Sequence, residues 1–243
     1  MHPTLVIRPF RVVEIKWETL DIFTLVVHPE DPAQQVAFAA GQWVYLHAIR
    51  PDGTTTGRSA FSIASAPHES GEALEFGIRV HGPVTTFLSK VQPDDLVGIQ
   101  GPFGVFTLKE DLAPQVYIAG GIGISPLRSM IREMLHRHPD ADVRLLYSTK
   151  TIEDMAYYFE FKKLAEACPR FSFQPFLTRE VPAIWEGGRG RIGAEHLRAA
   201  IGASFAGDIC MCGPNAFMDD IDAALQGLGI EPKSRIRRES FGT

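Results

Sequence analysis

The residues best suited to chemistry lie in short stretches rich in glycine and hydroxyl groups. The sharpest is Tyr117-Ile118-Ala119-Gly120-Gly121-Ile122-Gly123-Ile124-Ser125-Pro126. Its first half reads as an apolar strand, and its end predicts a helix starting at Pro126. Glycines let a backbone turn sharply and approach a ligand closely. A helix N-terminus aims free N–H groups and a positive dipole end at the space before it. Proline at a helix start loses no hydrogen bond. The combination suits a diphosphate. It also serves as an ordinary strand-to-helix connection, and Pro126 stands where the usual dinucleotide fingerprint has its third glycine.

The strand expected next ends Tyr147-Ser148-Thr149-Lys150, with no acid before Glu153. A carboxylate at that strand end would bind a ribose 2′-hydroxyl. A lysine suits a 2′-phosphate better, or is simply solvated. Earlier, Arg58-Ser59-Ala60-Phe61-Ser62-Ile63-Ala64-Ser65 places hydroxyls on a strand. His81-Gly82-Pro83-Val84-Thr85-Thr86-Phe87-Leu88 reads as a turn entering a helix, a second place for a phosphate. Gly101-Pro102-Phe103-Gly104-Val105-Phe106 is a further turn. Taken singly, each also reads as a capped helix or a plain turn. His136 and His138 form an HxH at a solvated helix end, and no other ligand motif supports a metal there.

The elements that must carry these stretches change character along the chain. Strand patterns cover 4–17, 21–29, 43–49, 60–65, 74–80 and 96–100, with one helix at 84–91. Six short strands at close spacing suggest an antiparallel barrel or sandwich. After Leu112 strands at 115–121, 142–148, 171–177 and 207–213 alternate with helices at 126–138, 153–167, 194–200 and 216–228. That alternation means a parallel sheet with crossover helices. Two domains follow, 1–110 and 111–243.

Composition narrows the function classes. The 243 residues carry 45% hydrophobic and 22% charged residues, which is ordinary globular composition. The net charge of −5 disfavours a nucleic-acid binder. No apolar run is long enough to span a bilayer, and the N-terminus is not of secretory type. Three cysteines fit a reducing, cytoplasmic setting and fall short of the four that a [2Fe–2S] cluster takes. A hydrolase is disfavoured, because the nearest approach to a GxSxG turn, around Ser204, lacks the second glycine.

In order and spacing, these segments resemble the ferredoxin–NADP⁺ reductase superfamily over nearly the whole chain. Phe61-Ser62-Ile63-Ala64-Ser65 is similar to its flavin-stacking strand, Gly82 to Leu88 to its diphosphate turn, and Gly101 to Phe106 to its GPxGxF. Gly120 to Pro126 is similar to its nicotinamide-side turn, Cys212-Gly213-Pro214 to its CGP, and Glu239-Ser240-Phe241 to its closing ExF. The resemblance implies an antiparallel six-stranded β-barrel flavin domain followed by an α/β parallel-sheet NAD(P) domain. It implies FAD rather than FMN, and favours NADPH over NADH.

By the same resemblance, Phe61 stacks on the isoalloxazine, where the family usually has tyrosine. Ser62, beside Ile63, sits by flavin N5 and O4. Gly82, Val84, Thr85 and Thr86 hold the diphosphate. The family usually places an arginine two residues before the aromatic. Here that place is Ser59, and Arg58 lies one residue earlier. A one-residue shift on a strand turns a side chain to the other face, so Arg58 reaches the flavin phosphate only if a bulge intervenes. Gly121, Gly123, Ser125 and Pro126 frame the nicotinamide together with Gly213 and Pro214, with Cys212 beside the ring. Thr178-Arg179 and Gly190-Arg191-Ile192, with Lys150, resemble the clamp on an adenosine 2′-phosphate. Arginine's planar fork fits phosphate; surface arginines of no special role would read the same way. Glu239 is implied as a proton or hydrogen-bond partner, and Phe241 as a ring that covers the flavin until nicotinamide displaces it.

The implied activity is hydride uptake from NADPH or NADH at flavin N5. Electrons then pass singly to a separate acceptor: a ferredoxin, a flavodoxin, an oxygenase component or a small ferric complex. Arg235, Arg237 and Arg238 offer a basic face for an acidic partner, or a solvated charged tail. The alternative is a non-catalytic flavin- and NAD(P)-binding regulatory or electron-transfer subunit of a larger complex.

Overall fold

The computed structural model describes residues 6–69, 71, 73–109, 113–202, 207–230 and 235–241. The expected boundary at 110/111 and Ser204 lie outside the described residues. The chain divides into two compact units, Met1–Leu108 with Arg128–Glu133, and Lys109–Leu127 with Met134–Thr243.

The first unit is a six-stranded antiparallel sheet. Its strands are β1 (Arg8–Trp17), β2 (Ile22–Pro29), β3 (Trp43–Ile49), β4 (Thr55–Ser62), β5 (Leu74–Arg79) and β6 (Leu96–Phe103), in the order β4-β3-β6-β1-β2-β5. The two ends of that order meet. Just past β4 the Ala64 N–H donates to the Glu75 carbonyl at 2.7 Å, and the Glu75 N–H donates to Ser65 Oγ at 3.1 Å. The sheet is thereby rolled around a core that includes Phe10, Phe23, Leu25, Leu46, Phe76 and Ile78. One short helix, α1 (Pro83–Leu88), follows β5.

The second unit is a six-stranded parallel sheet: β7 (Gln115–Gly120), β8 (Val143–Thr149), β9 (Phe171–Leu177), β10 (Gly188–Arg189), β11 (Asp208–Gly213) and β12 (Ile236–Ser240), in the order β10-β9-β8-β7-β11-β12. The helices are α2 (Ile124–Arg137), whose middle residues Arg128–Glu133 group with the first unit, α3 (Tyr158–Ala167), α4 (Ala194–Ile201) and α5 (Asn215–Gly227). β7 and β11 are buried along their whole length, as strands covered on both faces must be. One face carries Val116, Ile118, Ile209 and Met211, packed with Leu197 of α4 and Met218, Ile221 and Leu225 of α5.

Several elements differ from the sequence reading, among them the two-residue β10, which no strand pattern announces. β4 lies earlier than 60–65: the polar Thr55-Thr56-Gly57, which looks like a turn, pairs with the end of β3. α2 begins at Ile124, so Pro126 is its third residue. A proline is still tolerated there, because the first four N–H groups of a helix have no intrahelical partner. The helix expected from 153 splits into a 3₁₀ turn at Ile152–Asp154 and α3, broken by Tyr157 at φ +61°. Finally, β12 is a strand where the sequence shows a charged tail. Its Ile-Arg-Arg-Glu-Ser sequence carries no strand pattern, and its pairing with β11 fixes it.

Candidate functional site

The residues selected from the sequence fall into two groups, one in each unit. In the first unit the register of β4 on β3 is regular from Gly57 to Ser62, and its irregularity lies between Ala48 and Ile49. Phe61 stands opposite Val44 and Ser59 opposite Leu46, both buried in the barrel core. Phe61 is half-buried and packs against that core, as does Val84. Arg58 stands opposite His47 on the other face. Its guanidinium lies 4.3 Å from the Tyr45 ring centroid and donates to Gln100 Oε1 at 2.9 Å. Burial, with Arg58 adding to it, holds His47 below its ordinary value despite a hydrogen bond with Gln100. The bulge that Arg58 would need is absent, so its side chain does not share a face with Phe61.

The turn into α1 is open. Gly82 has φ +86° and ψ −179°, a region essentially reserved for glycine, and nothing lies within 4 Å of where a Cβ would stand. No side chain caps the helix. α1 lies against β4, since a Cβ on Gly57 would come 3.0 Å from Val84 Cγ2. Thr85 is buried, and its hydroxyl is used by the turn itself: it accepts from the His81 N–H at 2.6 Å and donates to the Gly82 carbonyl at 3.2 Å. Thr85 therefore shapes the turn, while Gly82 and Thr86 are exposed on it. An uncapped helix start, an empty space over a glycine and the half-exposed Phe61 and Ser62 fit a ring-and-diphosphate ligand such as FAD. Ile63 is buried and its N–H donates to the Gln42 carbonyl at 2.9 Å, so it anchors the strand.

What holds that strand's end has no local signal in the sequence. Arg128 Nη1 donates to the Ala64 carbonyl at 2.9 Å and to Glu75 Oε2 at 2.5 Å, and Ser129 Oγ donates to the Ser65 carbonyl at 2.7 Å. Burial pushes the Glu75 carboxyl up, but the charge of Arg128 and its hydrogen bond, helped by Arg132 and Lys16, hold it below its ordinary value. These partners are more than fifty residues apart, and no local pattern announces them.

In the second unit the glycines are fixed by packing. A Cβ on Gly123 would stand 2.3 Å from the Cys212 carbonyl oxygen. Gly120 and Gly213 leave room for the Phe217 ring, which would lie 2.7 Å and 2.6 Å from a Cβ on each. Gly121 has φ +54°. The turn after β7 thus presses against the end of β11, and Ser125 is buried beneath it. Phe217 was not singled out by the sequence; a lone aromatic one turn into α5 gives no sign that two glycines yield to it. Pro214 stands at the N-cap of α5, which no side chain caps.

Cys212 is buried, and the same burial, with Glu239 beside it, pushes its thiol far up, so it stays protonated. Glu239 is its register partner on β12, and burial raises the Glu239 carboxyl to about 7. Phe241 follows β12 and is half-buried. Cys210, one of three free cysteines, is pushed up to about 11 by burial and accepts from Arg237 Nη2 at 3.1 Å. Arg238 pairs with Asp222. The basic tail is thus partly committed within the unit.

The phosphate-binding candidates gather at the C-terminal ends of β8 and β9. The Thr178 N–H donates to the Thr149 carbonyl at 3.0 Å and the Arg179 N–H to the Lys150 carbonyl at 2.9 Å. On the other side of β9 the Gly190 N–H donates to the Leu177 carbonyl at 2.8 Å, which places Arg191 at the same end. Lys150, Arg179 and Arg191 are all exposed. In open α/β sheets ligands bind at this end of the strands. His136 is exposed at the opposite end of its helix, and no group of His, Cys, Asp and Glu among the described residues is arranged to hold a metal.

Comparison with known proteins agrees with this division. Residues 9–108 match the oxidoreductase FAD-binding domain family and residues 117–223 the oxidoreductase NAD-binding domain family. The chain is 32% identical over 212 residues to ferredoxin–NADP reductase B of Sorangium cellulosum, covering 84% of this chain and 85% of that one. It is 32% identical over 243 residues to the reductase component of propane 2-monooxygenase of Mycolicibacterium goodii, covering 95% of this chain and 66% of that one. Other relatives are longer, and this chain spans 48% to 60% of them. The FAD/NAD-binding domain of a Vibrio cholerae nitric oxide dioxygenase superposes with a TM-score of 0.84 over 97% of this chain and 99% of that one, at 22% identity, which shows the fold. With both domain families in the expected order and a reductase matched along most of its length, the chain belongs to the ferredoxin–NADP⁺ reductase superfamily, as an FAD- and nicotinamide-nucleotide-binding reductase module.

Proposed function

We propose that this protein takes hydride from NADPH, and more slowly from NADH, and delivers the electrons one at a time to a separate acceptor. Bound flavin supplies the step between two-electron and one-electron chemistry. The flavin domain is assigned to 1–110 and the NAD(P) domain to 111–243. The chain's own residues bind and orient. Phe61 offers its ring face, Ser62 a hydroxyl for the flavin N5 position, and Gly82, Val84 and Thr86 the backbone of the diphosphate turn. Gly121, Gly123, Ser125 and Pro126, with Cys212, Gly213 and Pro214, frame the nicotinamide. Glu239, titrating near neutrality, holds or releases a proton beside Cys212. Phe241 shields the flavin until the nicotinamide arrives. Arg58 is left out of the set.

The observation that carries the preference for NADPH is the convergence of Lys150, Arg179 and Arg191, with Thr178, on one end of the parallel sheet. Three cations there suit a 2′-phosphate, and no acid closes β8 to take a ribose hydroxyl. Free cysteines suit work in the cytoplasm. The names of the relatives point to a ferredoxin or an oxygenase component as acceptor. Steady-state reduction of a dye acceptor tests the reading: NADPH should support turnover at lower KM than NADH. No turnover with either nucleotide after FAD addition would overturn it in favour of the regulatory-subunit alternative.

A further inference from the structure

Arg191 is not idle at the sheet end. Its Nη1 donates to Asp220 Oδ2 at 2.9 Å, and the two side chains are 81% and 53% exposed. Asp220 lies on α5, which also carries Asp219 and Asp222. Asp222 is held by Arg238 of β12, so Asp220 is the α5 carboxylate turned to Arg191. Among the described residues neither Lys150 nor Arg179 makes an ion pair.

We propose that Asp220 is a specificity-determining residue that competes with the nucleotide 2′-phosphate for Arg191, and so limits the preference for NADPH. The inference rests on Arg191 belonging to the 2′-phosphate clamp. Geometry and charge carry it. A guanidinium already paired to a carboxylate must exchange one anion for another to bind phosphate. The carboxylate left behind then repels the incoming dianion. Both partners are solvated, so the pair is weak and exchange is easy. A nucleotide lacking the 2′-phosphate makes no demand on Arg191, and Asp220 leaves its binding unchanged. Asp220 acts through Arg191, so it is a positioning residue.

The test is equilibrium binding of 2′,5′-ADP and of 5′-AMP to the FAD-loaded protein by titration calorimetry at low ionic strength. An exposed pair shifts an equilibrium by up to about fivefold, and relief of repulsion adds to it, so Asp220→Asn should tighten 2′,5′-ADP by roughly three- to tenfold. 5′-AMP should not change. Asp222→Asn removes an equal charge from the same helix and should give no such gain. In an Arg191→Ala background the part of the gain that comes from competition for Arg191 should vanish, leaving only the smaller part from relieved repulsion. Asp220→Ser should repeat the effect of Asp220→Asn. If Arg191→Ala weakens 2′,5′-ADP but neither Asp220 variant strengthens it, the clamp stands and the role of Asp220 falls. An equal gain from Asp222→Asn, or an equal gain with 5′-AMP, also overturns it. If Arg191→Ala leaves 2′,5′-ADP binding unchanged, the clamp itself fails and the inference with it.

Discussion

Two of the turns that lead from a strand into a helix, the one after β5 and the one after β7, each have a glycine immediately before the helix. Gly82 before α1 has φ +86°, with empty space where a Cβ would be. Gly123 before α2 has φ −59°, a conformation open to any residue, but the Cys212 carbonyl fills the place of its Cβ. Gly82 is required for its backbone and Gly123 for its lack of volume. The second turn is built from contacts inside its own sheet, whereas the first leaves a hollow. The strand beside that hollow is held by Arg128 and Ser129, far away in sequence. A sequence reading treats the two turns alike; the structure makes one a packed joint and the other an open cradle.

The largest effect should come from removing the polar tie of the open side. Arg128→Met leaves the Glu75 carboxylate and the Ala64 carbonyl without their partner, and breaking one side of a buried pair costs about 3–5 kcal/mol. Chemical denaturation checks it. The same tie predicts acid sensitivity. Glu75 is held below its ordinary 4.5 in the folded state, so its contribution is present above that value and lost as pH falls below it through the folded value. A Glu75→Gln protein should lack that part of the acid-induced loss.

The glycines come next and separate the two kinds of turn. Gly123→Ala forces a methyl into a backbone carbonyl, an overpacking of about 1–3 kcal/mol or more. Melting temperature should fall in the presence and absence of bound FAD. Gly82→Ala meets no atom but occupies a glycine-only conformation, at about 1–3 kcal/mol. Its signature should be weaker FAD retention on dilution, beyond its change in melting temperature. Equal FAD losses from both variants would erase the distinction between cradle and joint.

Glu239 sharpens the account of the second unit. Its carboxyl is raised to about 7 by burial, so stability should fall as pH rises through 7, because the half-buried group must then ionise. Glu239→Gln should gain stability relative to wild type at pH 8 and not at pH 5. It should also flatten any change in the flavin reduction rate around pH 7, read by rapid mixing. The smallest effect is expected at Arg58. Arg58→Ala gives up a contact with the Tyr45 ring worth about 0.5–1 kcal/mol and should leave FAD affinity nearly unchanged. A large loss of FAD would return Arg58 to the flavin site.

Much of this architecture is legible in the sequence, because it rests on short-range patterns. The alternation of strands and helices after 113, and the apolar runs Val116 to Ala119 and Ile209 to Cys212, specify a parallel sheet covered on both faces. β12 is not legible: two arginines and a glutamate read as a charged tail, and neighbouring β11 makes it a strand. At the site, the glycines and hydroxyls announce the turns, but not what each glycine is for. That depends on Phe217 and the Cys212 carbonyl, brought in by the fold. The doubtful position of Arg58 is the opposite case, since strand alternation alone puts it on the wrong face, and the regular β3–β4 register agrees.

The central claim, that a nicotinamide nucleotide reduces a flavin held by this chain, is tested most directly by anaerobic stopped-flow mixing of the FAD-loaded protein with NADPH and with NADH, following flavin absorbance. Both nucleotides should bleach the flavin, NADPH faster. Flavin that stays oxidised with either nucleotide would contradict it.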